Sequence, residues 1–401
     1  MRNDQKNIVR RLLAWFAGNA RDLPWRRTQD PYAIWVSEIM LQQTQVKTVV
    51  PYWERWMREL PDIAALAGTR AEKLHKLWEG LGYYTRVRNL QKAAQIVIKK
   101  HGGSFPDDYA QVLELPGIGP YTAGAICSIA FNQPKPILDG NVVRVLTRIF
   151  GIEGNVRNGV TRARLWRIAG ELVLCAAAQA SGNRRHASDF NQALMELGAL
   201  VCTPRQPRCP ACPVSKQCVA GREDRVQELP NVGPSIRTTP RRFVAFVAER
   251  RNRFLVHQRP VGGVNAHLWE FPNIEVGWED SDIKQRARRV GSSRSGVLAA
   301  RDRLKAGLQT RLSGAVLRRA ARSILGLTPT VLQPLCTIKH SITRYRITLE
   351  AFRVAGQFAG QGASAKGKWL TRKELRHLAF SSAHKRILSH ALADRSHITA
   401  P

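Results

Sequence analysis

The sequence predicts a mainly α-helical N-terminal region followed by a smaller C-terminal region of mixed α-helices and β-strands. Apolar residues recur at helical spacing through the first part of the chain, and no strand-like alternation occurs before residue 240. Residues 223–240 combine proline, glycine and charged residues without periodicity, which is typical of a linker. Beyond them, stretches such as 337–354 alternate between apolar and polar residues, as half-buried strands do.

The composition indicates a globular protein that binds a polyanion. The 401 residues are 44% hydrophobic, and 63 Lys and Arg against 30 Asp and Glu give a net charge of +33. Such an excess favours nucleic acid as the partner, although a generally basic proteome would also produce it. The N-terminus lacks a signal-peptide core, and no apolar run is long enough to span a membrane. We therefore expect a soluble, intracellular protein without a membrane partner.

Helical periodicity divides the chain before residue 116 into six segments: residues 5–20, Tyr32–Val50, Trp53–Ala67, Ala71–Leu81, Leu90–Lys100 and Asp107–Leu115. The break after the first segment is expected to expose Trp25 and Arg26. Glu38 lies beside the apolar face of the second segment. A carboxyl group against apolar neighbours has a raised pKa and can donate a proton near neutral pH. The alternative is an ordinary surface glutamate, and the spacing does not decide between the two.

Two turns are candidates for contact with nucleic acid. The turn Gly80–Tyr84 presents two tyrosines, with Arg86 and Arg88 close behind, a pattern suited to base stacking and phosphate contact. Core aromatic residues would give the same pattern. The string Leu115–Gly119 places Gly117 and Gly119 before a predicted helix at Tyr121–Ala130, so its backbone amides can bind a phosphate. Asp139, which ends the following apolar run, is a candidate for chemistry beside that phosphate.

Four of the seven cysteines fall close together in the sequence, after predicted helices at Thr161–Ala180 and Asp189–Val201. They are Cys202, Cys209, Cys212 and Cys218. Four thiolates can hold zinc or an iron–sulfur cluster, and the spacing is not that of a zinc ribbon. A structural metal site is favoured over a redox role.

The C-terminal region combines predicted strands at Phe243–Glu249, Arg253–Gln258, Thr337–Val354 and Trp369–Leu370 with predicted helices at Arg372–Leu378 and Ser382–Leu392. Residues 284–325 are strongly basic. They are either a phosphate-binding insertion or a solvated segment.

Taken jointly, the motifs resemble the adenine DNA glycosylases of the MutY type, within the helix-hairpin-helix DNA glycosylase superfamily. The strings are LPWR (23–26), WVSEIMLQQTQV (35–46), GLGYYTRVRNL (80–90), LPGIGPYTAG (115–124), ILDGNV (137–142), FNQALMELGALVC (190–202) and the four cysteines. The resemblance implies a six-helix barrel over 29–135 and a second helical domain from 1–28 and 136–222. It also implies one [4Fe–4S] cluster on the four cysteines, a linker at 223–240, and a MutT/Nudix-like domain at 241–395.

The resemblance also implies residue roles. Glu38 would protonate the departing adenine, and Asp139 would stabilise the positive sugar that remains. Tyr121 stands where bifunctional relatives carry a lysine nucleophile, which implies a monofunctional enzyme. The remaining implied residues are Asn141 beside Asp139, Trp25, Arg26, Leu41 and Gln192 around adenine, and Gln43 and Tyr83 as wedges in the duplex. The two turns described above add Arg88, Gly117 and Gly119 as candidates for contact with the DNA.

The C-terminal domain of this family reads 8-oxoguanine opposite adenine. Residues 314–326 contain no glutamate, although a Nudix hydrolase needs several to bind its metal, so we expect no hydrolysis there. The lesion-reading loop of the family usually has a Phe-Ser-His string. Here Ile342, Thr343 and Arg344 stand in its place, so Thr343 keeps the hydroxyl and Arg344 replaces the histidine with a permanent charge.

The expected function is therefore a monofunctional base-excision-repair glycosylase acting on double-stranded DNA with adenine mispaired with 8-oxoguanine or guanine. With that function we expect a monomer in the bacterial cytoplasm, associated with the nucleoid. One alternative is an endonuclease III-like pyrimidine glycosylase with lyase activity. The pair of Glu38 and Tyr121 argues against it, as does the extra C-terminal domain. The other alternative is a catalytically silent DNA-binding protein, which would need neither Glu38 nor Asp139.

Overall fold

The computed structural model describes residues 2–180, 184–234, 238–260, 262, 265–276, 312–326, 328–342, 344–355 and 367–393. The chain forms two compact units, Met1–Ser235 and Ile236–Pro401. The first unit is helical and the second combines a β-sheet with helices, so the predicted division of fold class is confirmed. In the described part of the chain, no helix has the length and apolar character needed to cross a membrane.

The first unit consists of helices joined by short connections. They are α1 Arg2–Asn19, α2 Pro31–Leu41, α3 Val46–Glu59, α4 Ile63–Gly68, α5 Ala71–Leu77, α6 Thr85–His101, α7 Tyr109–Leu113, α8 Pro120–Phe131, α9 Gly140–Phe150, α10 Gly159–Ala178, α11 His186–Leu200 and α12 Val219–Arg222. Short 3-10 helices lie at Pro24–Arg26, Cys209–Ala211 and Ser215–Gln217. Helix α9 was not predicted from periodicity.

The single helix predicted over Tyr32–Val50 is wrong, because α2 ends at Leu41 and α3 begins at Val46. Gln43 adopts the left-handed backbone conformation, with φ of 57°. The guanidinium of Arg86 donates from Nη1 to the carbonyl oxygens of Ile39, Met40 and Gln42 at 2.8, 3.1 and 2.6 Å. These bonds satisfy the last carbonyls of α2 that a continuing helix would have used. The break leaves Gln43 on an exposed turn.

The helix predicted over Trp53–Ala67 is also interrupted. Asp62 caps α4 by accepting a hydrogen bond from the Ala65 amide at 2.7 Å, and Pro61 precedes it. The helix predicted over Ala71–Leu81 ends earlier, at Leu77.

A buried apolar core joins the first helix of this unit to its last long helices. Leu12 of α1, Val145 of α9, Leu172 of α10 and Leu197 of α11 are each at most 1% exposed and belong to one cluster. Burying each such side chain contributes about 1.5–3 kcal/mol. This core fixes α9 and α11, which carry several of the predicted site residues.

Helix α8 lies unusually close to the segment that leads to Asp139. A Cβ atom added at Gly124 would meet the carbonyl oxygen of Pro136 at 2.1 Å, a distance that real Cβ atoms do not reach. Ile137 and Leu138 follow and are buried. Glycine at position 124 therefore lets this segment run directly against α8.

Part of the predicted linker packs on the first unit. Leu229 is 3% exposed, and its carbonyl oxygen accepts a hydrogen bond from Nε of Arg148 at 2.9 Å. The Val156 amide donates to the carbonyl of Asn231 at 2.9 Å. Residues 235–237 lie outside the described part of the chain.

In its described residues, the second unit contains a seven-stranded mixed sheet. The strands are β1 Thr239–Arg250, β2 Arg253–Gln258, β3 Trp269–Glu270, β4 Asn273–Glu275, β5 Val331–Ile342, β6 Tyr345–Ala355 and β7 Lys368–Thr371. Their order is β3-β2-β1-β6-β5, with β4 paired to β1 and β7 paired to β2. The long β1–β6 pairing is parallel, and β5 and β6 form an antiparallel hairpin.

Within the described residues of this unit, the sheet is accompanied by α13 Gly314–Leu325, α14 Arg372–His377 and α15 Ser382–Ala393. Apolar residues form one cluster with α14 and α15 and another with α13. Most of the basic stretch 284–325 lies outside the described residues, which resume at residue 312. Its described end, α13, exposes Arg318, Arg319 and Arg322.

Candidate active site

The Glu38 carboxyl lies in the interior of the first unit. Asp30 starts α2 by accepting hydrogen bonds from the amides of Tyr32 and Ala33, and residues 32–40 of the helix are all buried. Glu38 itself is 5% exposed, so the alternative of a surface glutamate is excluded. Burial raises the pKa of Glu38 to about 7, against the lowering effect of a hydrogen bond from Tyr121. The charge of Asp139 adds to the increase, and the charge of Arg26 opposes it.

Tyr121 holds one oxygen of this carboxyl. It lies in the first turn of α8, which begins at Pro120. Its hydroxyl donates to Oε2 of Glu38 at 2.8 Å and lies 3.4 Å from Sδ of Met195. Burial raises the pKa of Tyr121 well above its usual range, so the phenol keeps its proton. Among the described residues, Oε1 of Glu38 has no protein partner, and this oxygen can carry a proton toward a ligand.

Asp139 is the N-cap residue of α9. Its carboxylate accepts hydrogen bonds from the Val142 amide at 2.7 Å and from Nδ2 of Asn141 at 3.0 Å. Burial raises the pKa of Asp139, while these bonds favour the ionised form. Oδ1 of Asn141 in turn accepts a bond from Nη2 of Arg144 at 2.9 Å, which fixes its amide orientation. Gly198 of α11 allows the close approach, since a Cβ there would lie 2.6 Å from Cβ of Asn141.

The prediction that Trp25 and Arg26 are exposed is wrong. Trp25 is 6% exposed and packs edge-on against Trp53, with ring centroids 6.0 Å apart. The Arg26 side chain is 14% exposed, and its Nε donates to Oε1 of Gln192 at 3.1 Å. Leu41, the last residue of α2, is half-buried. The structure therefore brings Arg26 and Gln192, two of the residues implied to surround adenine, into direct contact.

Periodicity did not identify Glu196, which is 1% exposed and forms salt bridges with Arg21 and Arg26. A signal was available in the sequence. Glu196 lies one helical turn after Gln192 on an otherwise largely apolar helix, so the two side chains share a face.

Three of the residues predicted to contact DNA line a single cavity. Gln43, Tyr83 and Gly117 border a space of about 210 Å³. Tyr83 is 48% exposed, and both Gln43 and Tyr83 have positive φ, at 57° and 47°. Such backbone conformations are uncommon outside glycine and cluster at functional sites. Arg88 and Gly119 do not line this cavity; Nη2 of Arg88 contacts Oγ1 of Thr85 at 3.1 Å.

The glycine turn presents one tyrosine instead of the predicted two. Tyr84 is 3% exposed and belongs to the core. Arg86 is not available to a phosphate, because its five bonds all go to backbone carbonyls, including those of Leu81 and Gly82 at 2.9 and 3.1 Å. It fixes the turn that carries Tyr83.

The hairpin between α7 and α8 keeps free amides, as predicted. Gly117 has φ of 83°, and a Cβ there would lie 2.8 Å from Cβ of Asn89. In the described part of the chain, the N–H groups of Gly117 and Gly119 have no protein acceptor. Glycine is therefore required at position 117, and the hairpin can donate to an anion.

The four clustered cysteines share one cavity. Cys202, Cys209, Cys212 and Cys218 form no disulfide and border a space of about 150 Å³. Across the described residues, no three His, Cys, Asp or Glu side chains are close enough together to hold a single metal ion. The cavity is much larger than one water molecule and is lined by four thiols. Its size and its lining therefore fit a group of several atoms. Nη1 of Arg148 lies 3.4 Å from Sγ of Cys202.

In the second unit, Arg344 is exposed at the turn between β5 and β6. Its Nη2 donates to the Tyr345 hydroxyl at 3.0 Å. Thr343 lies outside the described residues.

Comparison with known proteins identifies two domains. The profile of the HhH-GPD superfamily of base excision DNA repair proteins matches residues 36–171. The NUDIX domain profile matches residues 243–390.

Relatives are found along nearly the whole chain. The human adenine DNA glycosylase is 34% identical over 433 residues, covering 94% of this chain and 72% of the relative. The Arabidopsis thaliana adenine DNA glycosylase is 37% identical over 329 residues, covering 72% of this chain and 51% of the relative. Among solved structures, a thermostable thymine-DNA glycosylase is similar with a TM-score of 0.49 and 31% identity, covering 55% of this chain and 98% of that one.

The raised pKa of Glu38 predicts how the Glu38→Gln variant responds to pH. The folded-state pKa lies above the unfolded value of 4.5, so wild-type protein is most stabilised by Glu38 at low pH and loses that contribution as the pH rises through about 7. Glutamine does not ionise. We expect Glu38→Gln to be more stable than wild type at pH 8, by up to about 3 kcal/mol, with a smaller difference at pH 4.

Urea unfolding at both pH values measures this difference. Glu171→Gln, which removes an exposed salt bridge with Arg167, is the control and should show no such pH dependence. An equal effect of Glu38→Gln at both pH values would mean that Glu38 titrates as an ordinary glutamate.

Proposed function

The chain belongs to the adenine DNA glycosylase family, and we propose that it hydrolyses the N-glycosidic bond of adenine mispaired with 8-oxoguanine or guanine in double-stranded DNA. The observation that carries the proposal is the buried Glu38 carboxyl group. One of its oxygens accepts a hydrogen bond from Tyr121, and the other has no protein partner in the described part of the chain. The product would be an abasic site.

Glu38 supplies the proton that adenine needs in order to leave. The adenine anion is a poor leaving group, so protonation of the ring lowers the barrier to cleavage. A general acid works best when its pKa lies near the working pH, and burial brings Glu38 to about 7. Tyr121 keeps Oε2 occupied, so the proton is delivered from Oε1.

Asp139 stabilises the charge that forms on the sugar. As the bond to adenine breaks, positive charge develops on the deoxyribose, and an ionised carboxylate opposes it directly or through a transient covalent bond. The bonds from Val142 and Asn141 favour that ionised form. Water then adds its oxygen to the sugar carbon, displacing Asp139 where a covalent bond has formed, and the proton that water loses restores the Glu38 carboxyl group. The two carboxyl groups thus divide into one acid and one anion.

Tyr121 supports a monofunctional reaction. A lyase step needs an amine that forms a Schiff base with the opened sugar, and a phenol cannot form one. Tyr121 is neutral and already bonded to Glu38, so its role is to orient the acid.

The exposed turns suit a duplex from which adenine has been flipped out. Gln43 and Tyr83 stand on strained turns beside one cavity, where they can fill the gap that the base leaves. The free amides of Gly117 and Gly119 suit one phosphate of the backbone. Arg88 adds a nearby positive charge, within a chain of net charge +33.

The four cysteines are proposed to hold one [4Fe–4S] cluster. When bound, the cluster supplies a cross-link among Cys202, Cys209, Cys212 and Cys218 and takes no part in base removal. Arg148 contacts Cys202 and the backbone of residues 203 and 204, so the loop is tied to α9.

The second unit is proposed to read the base opposite adenine. Its NUDIX domain lacks glutamates over residues 314–326, which argues against hydrolysis. Thr343 and the exposed Arg344 stand where the family carries its lesion-reading string. Arg344 offers donors to the purine edge and its phosphate.

A single-turnover assay tests the activity and the acid together. We expect wild-type protein to release adenine from duplexes with A opposite 8-oxoguanine and A opposite guanine, with strand breaks only after alkali. Glu38→Gln should lower the excision rate by at least about 100-fold while DNA binding survives, because a general acid contributes that much or more.

A duplex with A opposite T and the Glu171→Gln variant serve as controls for substrate and protein. Breaks without alkali on a thymine glycol duplex would point to an endonuclease III-like enzyme. Binding without base loss on any duplex, or full turnover by Glu38→Gln, would contradict the proposal.

The cluster proposal predicts a coloured protein. Protein purified without oxygen should absorb visible light and contain iron and sulfide, and Cys212→Ser should lose both. Cys175→Ser is the matched control, because Cys175 lies on α10 outside the cavity and its loss should leave the colour unchanged. Colourless protein with stoichiometric zinc would favour a zinc site instead.

A further inference from the structure

We infer that Glu196 is the positioning residue for the adenine pocket: it holds the Arg26 guanidinium, and through it the Gln192 amide, in one fixed orientation beside Glu38. The inference rests on the proposed function, since it assigns this pair to the adenine base.

The Glu196 carboxylate is buried and forms ion pairs with Arg21 and Arg26. Its Oε1 accepts bonds from the Arg21 amide, Nε of Arg21 and Nη1 of Arg26 at 2.9, 2.8 and 3.1 Å. Its Oε2 accepts bonds from Nη2 of Arg21 and Nη2 of Arg26 at 2.7 and 3.0 Å. Burial raises the pKa of Glu196, but the bonds from the two arginines outweigh burial and lower it to about 2. Glu196 therefore remains charged throughout the working pH range.

The bonds to Arg26 leave it little freedom. Nη1 also donates to the carbonyl of Arg21 at 3.0 Å, and Nε donates to Oε1 of Gln192 at 3.1 Å. The guanidinium stacks over the Phe16 ring, 5.4 Å from its centroid. A guanidinium has five N–H groups. Four of them donate to acceptors in the described part of the chain, so one N–H on Nη2 remains for a ligand.

Arg26 in turn fixes the amide of Gln192. Oε1 accepts from Arg26, and Nε2 donates to Oγ of Ser188 at 3.1 Å. Rotating the amide by half a turn would break both bonds. The remaining N–H and lone pair of Gln192 are thus presented in a single arrangement, as the edge of a purine base requires.

Glu196 also affects the proton donor through charge. The positive charge of Arg26 lowers the pKa of Glu38, which Tyr121 and Asp139 also influence. Removing the Glu196 charge leaves Arg26 uncompensated in the same buried region. The pKa of Glu38 should then fall, so less of the acid carries its proton at neutral pH.

The Glu196→Gln variant tests this role, because it keeps the shape of the side chain and removes the charge. We expect single-turnover excision from the A:8-oxoguanine duplex to fall by up to about 100-fold. We also expect the alkaline limb of its pH–rate profile to move to lower pH. Glu171→Gln, which removes an ion pair from α10, should change neither quantity.

A double-mutant cycle that combines Glu196→Gln with Arg26→Ala tests whether Glu196 acts through Arg26. If Glu196 acts through Arg26, then Glu196→Gln adds little further loss in the Arg26→Ala protein. Independent, multiplying losses would overturn the inference. Should Glu196→Gln fail to fold, Glu196→Asp keeps the charge and should leave the alkaline limb at its wild-type position; a displaced limb would contradict the role.

The outcomes separate this inference from the proposed function. Wild-type protein that releases no adenine would refute the function, whereas Glu196→Gln with wild-type rate and pH limb would refute only the role of Glu196. An infrared titration of the Glu38 carboxyl needs no substrate. It should show a lower midpoint in Glu196→Gln than in wild type, and equal midpoints would overturn the inference.

Discussion

The burial of one carboxyl group in α2 is the constraint on which the rest of the site depends. Residues 32–40 of α2 are all buried, so Glu38 lies on a stretch of helix that is shielded from bulk water. An isolated buried carboxylate is costly, and the group keeps its proton to higher pH instead. Tyr121, Asp139 and Arg26 then adjust that tendency in opposite directions. The proton needed for base removal is therefore a consequence of the fold.

Close backbone contacts bring the other groups to this carboxyl. Gly124 lets the segment before Asp139 run against α8, which carries Tyr121 in its first turn. Gly198 lets α11 approach Asn141 on α9. Helix α2 packs against α8, and α11 packs against both α8 and α9. The side chains of the site are held by N-cap bonds and buried ion pairs. Such rigidity suits a reaction whose rate depends on placing a proton and a negative charge on opposite parts of one nucleotide.

The local sequence pattern predicted most helices and strands correctly. The predictions were wrong where contacts with residues distant in the sequence determine the structure. Periodicity placed most helices and the strands at β1, β2, β5 and β6, and the motif strings identified the family. The break between α2 and α3 depends on Arg86, which comes from α6 and binds the last carbonyls of α2. Trp25 and Tyr84 were expected on the surface, but tertiary packing buries both. The sequence pattern did not identify Glu196, because its partners Arg21 and Arg26 lie about 170 residues earlier, in the connection between α1 and α2.

If the site works as described, Glu38 carries its proton near neutral pH, and infrared difference spectroscopy can detect that proton on the carboxyl group itself. Subtracting the spectrum of Glu38→Gln from that of wild type isolates the carboxyl band of Glu38, which can be followed from pH 4 to pH 9. We predict that the protonated band persists at neutral pH and disappears with a midpoint of about 7. A midpoint near 4.5, the value of an ordinary glutamate, would contradict the account.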